Sequence, residues 1–280
     1  MAKNIISKPY KVENSFNRIP MGGLSAQEKN LVAEICVDLQ DKGNTLIHYS
    51  KADLKAKVPF KNMTDKELGE MITNLDKKFF SLHFEQLIPT DDPQYPIHEF
   101  HNLFQVMRYK LKPDDFFLEL QVDPHLAFLL NNVTKNFTRF ELSDFISLRS
   151  KYSKDLFRLL MQFKSQGWWQ VSLNDFRELL GAPTGYRFSD LERFVIKPSL
   201  KELSWDNGQT DLFINKRSAK RPVFKNLRVE KIKGEGRGRG GAVVALKFLW
   251  DPLKTPKLIK AETADVNTIQ AATGIPVAEK

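Results

Sequence analysis

The sequence has one cysteine, Cys36. A single thiol cannot form a disulfide within the chain or build a cysteine metal site, and it fits a reducing cytosol. Cys36 sits among Leu31, Val32, Ile35 and Leu39 at helical spacing, so it reads as a small buried hydrophobe. Long apolar runs are also missing. None reaches the ~18 residues of a membrane span, and Met1–Lys8 has no extended apolar region of the kind a signal peptide needs. No Gly-x-x-x-x-Gly-Lys-Ser/Thr loop is present, which argues against an ATPase. Histidines number five, and only His98 and His101 are close. They do not form His-Glu-x-x-His, and on a strand their odd separation turns them to opposite sides. His48, His83 and His125 read as structural, no Ser/His/Asp set stands out, and neither metal nor cofactor is expected.

Positive charge is plentiful and unevenly placed. The net charge is +9. Residues 1–135 hold 17 Lys and Arg against 18 Asp and Glu, a net of −1, and residues 136–280 hold 26 against 16, a net of +10. A one-sided excess points to a polyanion, and phosphate is its usual source. A membrane surface would want a basic helix with exposed large apolar residues, and no segment has that pattern.

Length suggests two domains. Residues 1–23 read as an extended arm ending in Gly22-Gly23. Ser25-Ala-Gln-Glu28 and Thr64-Asp-Lys-Glu67 are capping boxes that open helices, the first stopped at Gly43. Alternating apolar residues around Phe80–Phe84 and Phe104–Val106, and then Phe116–Val122, predict strands. In the second half, Leu156–Phe163, a strand at Trp168–Val171, a helix from Ser172 stopped by Gly181, and another helix follow. Strands at Leu212–Ile214, Leu227–Ile232 and Ala242–Trp250 come after. Helices followed by a strand hairpin is the order of a winged helix-turn-helix, and it occurs twice. The fold class is therefore α+β, two tandem winged helix-turn-helix domains over residues 24–135 and 136–253, with a flexible tail over 254–280.

The most informative helix begins near Phe188 and runs to Leu203. Ser189 is the expected N-cap, with Glu192 bonding back to it. At about 100° per residue, Arg193, Lys197 and Lys201 fall in a line, while Leu191, Val195 and Leu203 can pack inward. A cationic line opposite a buried face suits a duplex groove. Pro198 cannot donate to the Phe194 carbonyl, which predicts a kink or loosening there. The part before Pro198 then reads bases and the part after it supports. Between the last two strands lies Lys231-Ile-Lys233-Gly-Glu-Gly-Arg237-Gly-Arg239-Gly-Gly241. Its Gly236–Gly241 portion satisfies the dinucleotide fingerprint, but a strand follows where that motif needs a helix. It reads instead as the glycine-rich tip of a wing, with arginines to reach phosphate or a narrow minor groove.

Leu148-Arg-Ser-Lys-Tyr-Ser-Lys-Asp-Leu-Phe-Arg-Leu-Leu160, Val171-Ser-Leu-Asn-Asp-Phe-Arg-Glu-Leu-Leu-Gly181 and the helix ending Lys197-Pro-Ser-Leu-Lys-Glu-Leu203 resemble the plasmid replication initiators of the theta type. These carry two winged-helix domains. Residues 14–43 resemble the entry to the family's first domain, so the resemblance covers about 14–250. It implies binding to repeated origin sites (iterons), opening of the duplex and delivery of host helicase and initiation proteins in the bacterial cytoplasm. It also implies a dimer interface on the first domain and a monomer–dimer equilibrium tied to autoregulation and copy control. Carried onto this chain, Arg187, Ser189, Asp190, Arg193 and Lys197 are base-contact candidates, Arg193 foremost because its planar fork matches guanine O6 and N7. Lys201, Lys231, Lys233, Arg237 and Arg239 are backbone candidates. The near-neutral Lys66–Lys78 helix suits dimerisation or weak DNA contact. No enzymatic activity is expected. A transcriptional repressor of the same architecture is the alternative. A rolling-circle nicking enzyme would want two histidines separated by one bulky apolar residue, which this chain lacks.

Overall fold

The computed structural model of the chain describes residues 9–78, 82–205, 224–234 and 241–253. The expected strand at Leu212–Ile214, the wing-tip residues Arg237 and Arg239, and the 254–280 tail lie outside these.

The first unit grows from its capping boxes. Ser25 accepts from the Glu28 amide (3.2 Å) while Glu28 takes the Ser25 N–H (2.6 Å), and helix α1 runs Ala26–Leu39. Its last turn gives way to left-handed backbone first at Asp41 (φ 57°) and then at Gly43 (φ 65°). Strand β2 (Ile47–Ser50) follows, and then α2 (Lys51–Ala56), opened by Ser50 and Asp53. The expected Thr64–Glu67 box opens α3 (Asp65–Asp76). Strands β3 (His83–Ile88) and β4 (Ile97–Asn102) form an antiparallel hairpin, and β4 was not foreseen, since His98-Glu-Phe-His lacks an apolar alternation. Strands β5 (Phe104–Lys112) and β6 (Asp115–Val122) then make the wing, with β2 on the far side of β6 in the order β2-β6-β5. Along β6, Phe116, Leu118, Leu120 and Val122 are buried in strict alternation.

After a 3-10 turn at Pro124–Leu129, strand β7 (Phe137–Glu141) leads into α4 (Leu142–Ser147). The second unit repeats the plan. Helix α5 (Lys151–Gln162) starts at Ser150, and β8 (Trp168–Ser172) and α6 (Leu173–Leu180) follow, closed by left-handed Gly181. A helix made of α7 (Phe188–Leu191), a π-helical turn (Glu192–Ile196) and α8 (Lys197–Leu203) is succeeded by the short strands β9 (Ser204–Trp205) and β10 (Phe224–Lys225). The wing is β11 (Arg228–Lys233) with β12 (Val243–Leu249), and the sheet order β8-β12-β11 mirrors the first unit. In both units the strand between the first two helices pairs with the last strand of the wing.

The expected arm is corrected for its described part. Pro9–Glu13 is strand β1, paired antiparallel with β7, and a 3-10 turn at Asn14–Arg18 follows. Tyr10 stacks on Phe140 (4.5 Å between ring centres), which in turn meets Phe157 of α5 edge-on. Phe16, Ile19 and Met21 are buried. These side chains gain more from burial than a solvated arm could offer, since each buried large apolar side chain is worth about 1.5–3 kcal/mol.

The buried apolar residues of both units belong to one continuous cluster. Where α1 meets α5, the contact is polar and dry. Lys29 pairs with Asp155 and donates to the Lys151 carbonyl (3.1 Å). Lys154 donates to Asn30 Oδ1 (2.7 Å) and the Phe145 carbonyl (2.6 Å). Arg158 donates to the carbonyls of Phe16 (3.1 Å) and Ile19 (3.3 Å). All four charged side chains are buried.

Candidate nucleic-acid interface

The helix from Phe188 to Leu203 is held from behind. Leu191, Val195, Ile196, Ser199 and Leu203 are buried, as the 3.6-residue period predicts for its inner face. Glu202 accepts the backbone N–H groups of Arg149 (2.6 Å) and Ser150 (3.3 Å), tying the helix's end to the start of α5. Ser153 and Ser199 meet at 3.4 Å between the two helices. Arg187, Ser189, Arg193, Phe194, Lys197 and Lys201 are exposed on the other side.

The helix starts one residue earlier than the Ser189 cap requires. Phe188 already lies in the first turn, its ring packed against the core, so Ser189 is inside the helix. Asp190 does the capping: its carboxylate accepts the Arg187 N–H at 2.9 Å. An acid in a first turn also meets the positive end of the peptide dipoles. Asp190 is therefore engaged in holding the helix start, while Arg187 projects from the N-cap position.

Glu192 is free of the expected capping role and takes up another. Its carboxylate accepts from Lys231 on the wing strand (2.9 Å) and pairs with Lys197 (3.3 Å). The hydrogen bond from Lys231 is the main cause that holds Glu192 below the usual carboxylate range. Lys231 also lies over the Phe188 ring, 5.2 Å from its centre. Helix and wing are thus joined through one carboxylate and two cations. Arg193 sits over the ring of its neighbour Phe194 at 5.1 Å, which lays its guanidinium along the exposed face. Lys233 is exposed further along β11, towards the wing tip.

Pro198 leaves the mark expected of it. The N–H of Lys197 bonds to the Glu192 carbonyl, five residues back, and the turn Glu192–Ile196 is π-helical. A wide turn draws the Phe194 carbonyl away from the proline ring, and Pro198 then falls in the first turn of α8. Loosening therefore replaces a sharp kink, and it lies between the Arg187–Arg193 end and the Lys197–Lys201 end.

The rest of the helix-turn-helix is fixed by aromatic packing. Phe248 of β12 stacks on Trp169 of β8 (5.7 Å) and on Phe176 of α6 (5.8 Å), so the wing, the short strand and α6 share one layer. In the first unit, α3 carries mixed charge. Asp65 binds Lys51 (2.9 Å) and Lys55 (2.8 Å), and Lys66 faces Glu70 (3.9 Å). No cationic line comparable to Arg193, Lys197 and Lys201 forms there. The histidines separate as predicted in one respect: His98 turns to Glu85 (2.8 Å) and His101 to the other side. His101 does not stand alone, however; it meets Asp123 and His125, a grouping that residues 22 and 24 positions away in sequence gave no sign of.

The chain matches the family described as Initiator Replication protein, WH1, over residues 9–161, and Initiator Rep protein, WH2, over residues 172–250. It is 31% identical over 195 residues to the Probable replication protein rep of Bifidobacterium longum, covering 69% of this chain and 63% of that protein. The chain's match thus spans less than two thirds of that relative's length. In fold it is similar to the crystal structure of Pi initiator protein in complex with iteron DNA, with a TM-score of 0.55 and 16% identity over 89% of this chain and 99% of that one. With the two winged-helix matches together spanning most of its length, the chain belongs to the family of replication initiator proteins built from WH1 and WH2 domains.

Proposed function

We propose that this protein is a plasmid replication initiator that binds repeated origin sites in duplex DNA by sequence, promotes local opening, and brings in host helicase and initiation proteins. The observation that carries the reading is the exposed face of the 188–203 helix, backed by a buried apolar face and bridged to the wing through Glu192. Such a helix fits the major groove, with the wing beside it over the phosphates. The family supports the replication role, and the iteron DNA held by the Pi initiator supports the kind of site. In this reading residues 136–253 do most of the DNA binding, in keeping with the +10 charge of the second half. Residues 24–135 serve self-association, with dimers repressing the protein's own gene. The work is binding and assembly in the bacterial cytoplasm, without bond-breaking chemistry.

The test is protection of supercoiled origin DNA by the full chain. Evenly spaced footprints over tandem repeats, with permanganate-reactive thymines in an adjoining segment, are expected. A single palindromic footprint with no reactive thymines would leave a repressor. A nicked product carrying covalently attached protein would overturn the non-enzymatic reading.

A further inference from the structure

At the junction of the first unit's two hairpins, three side chains from separate parts of the chain converge. His101 comes from β4, Asp123 from the residue after β6, and His125 from the start of the following 3-10 turn. One nitrogen or carboxylate oxygen of each lies within 4.8 Å of the others. The two imidazoles stack, 4.6 Å apart and 25° from parallel. Asp123 lies along their edge, with one oxygen 2.9 Å from His125 Nδ1 and the other 4.0 Å from His101 Nδ1. On the far side of His101, Glu99 Oε1 is 3.2 Å from Nε2.

This geometry has a chemical consequence. Glu99 takes the Nε2 proton of His101 and leaves the Nδ1 lone pair facing Asp123. At 4.0 Å no hydrogen bond closes that gap. A carboxylate that accepts from one ring nitrogen, turning the other towards an ion, is the usual support of a ligating histidine. Two stacked imidazolium rings would repel each other, so the pair favours the neutral forms that ligate metal. The backbone holds the set in place. Asp123 donates its N–H to the Leu103 carbonyl (3.1 Å), just past β4, and its carboxylate takes the His125 amide (2.8 Å). His101 and Asp123 are mostly buried, with 19% of each side chain exposed, whereas His125 is 71% exposed and can swing in as the last ligand.

We propose that His101, Asp123 and His125 bind a divalent transition-metal ion of the zinc class, with Glu99 supporting His101. Two imidazoles and one carboxylate suit that class better than magnesium or calcium, which prefer oxygen ligands. A water completes four-coordination. The ion ties β4 to the end of β6 and so fastens the β3–β4 hairpin to the body of the first unit. The site lies in the first unit, apart from the 188–203 helix, and its role is structural.

The test uses the full chain without an affinity tag, stripped by a chelator and titrated calorimetrically with zinc chloride. One zinc per chain is expected, together with a higher melting temperature in its presence. His125→Ala, at an exposed position that does not threaten folding, is expected to lose saturable binding and the thermal shift. Glu99→Ala is expected to weaken zinc by about 10–100-fold. His98→Ala, whose ring faces Glu85 instead, is expected to bind as the unaltered chain does. No saturable binding at micromolar zinc would overturn the site. So would a His125→Ala chain that binds as well as the original, or a His98→Ala chain that loses zinc equally.

Discussion

Arg193 and Lys201 share a helix face, but their chemistry divides the work between them. Arg193 carries a planar fork that can pair with two acceptors of one guanine, whereas Lys201 offers a point charge suited to phosphate. Arg193→Ala is expected to cost about 1–3 kcal/mol on the cognate site and to relax preference at one base pair. Binding to cognate and singly altered duplexes measures both, and an equal loss on random DNA would remove the base-reading role. Lys201→Ala is expected to weaken binding on all sequences and to lower the salt slope by about one. A titration of affinity against salt concentration checks it. Lys197 and Lys231 differ from both, because each already has the Glu192 carboxylate. Pairs this exposed contribute little to stability, so a phosphate can replace the carboxylate at small cost.

The turn that orients the reading helix is set by a backbone contact. Gly181 ends α6 in the left-handed region (φ 57°), and Gly22 of the N-terminal segment lies directly against it. A Cβ added at Gly22 would sit 2.2 Å from the Gly181 Cα, and backbone cannot move aside as a side chain can. Gly23 has open space around its Cβ position. Gly22→Ala is therefore expected to destabilise the protein by about 1–3 kcal/mol, the usual cost of overpacking. Gly23→Ala is expected to stay within about 0.5 kcal/mol of the original. Urea unfolding midpoints of the two variants compare them directly. The contact also explains why the N-terminal segment belongs to the DNA-binding apparatus: it buttresses the turn between α6 and the 188–203 helix.

Across the whole molecule, the two winged-helix units meet through buried charge. Burial pushes the Lys29 amine down to about 8 and raises the Asp155 carboxyl, so holding charge on either group costs free energy. Removing one partner leaves the other uncompensated in a dry contact. Asp155→Ala is expected to cost about 3–5 kcal/mol, while the joint change Lys29→Met with Asp155→Leu should restore stability to the original level or above. Chemical denaturation of the three proteins decides it, and equal losses in the single and joint variants would show that the charges are not the issue. Such a pair specifies which surfaces meet more than it adds to stability.

Much of this protein was legible in its residues because the signals are local. A Ser or Thr three places before a Glu starts a helix whatever surrounds it, and α1 and α3 begin where those pairs stand. Apolar periodicity likewise identified the inner face of the 188–203 helix, and Pro198 announced the wide turn before it. At Ser189 the local signal misled, because the packing of Phe188 moved the helix start by one residue and passed the cap to Asp190. The sequence by itself therefore determined the order of elements, the doubled winged-helix plan and the cationic face. Only the tertiary structure decided that β1 closes on β7, that Lys29 is buried against Asp155, that Glu192 joins helix to wing, and that His101, Asp123 and His125 come together. Capping and periodicity act over a few residues and are written in them, whereas these partners lie tens of residues apart and meet only when the chain has packed.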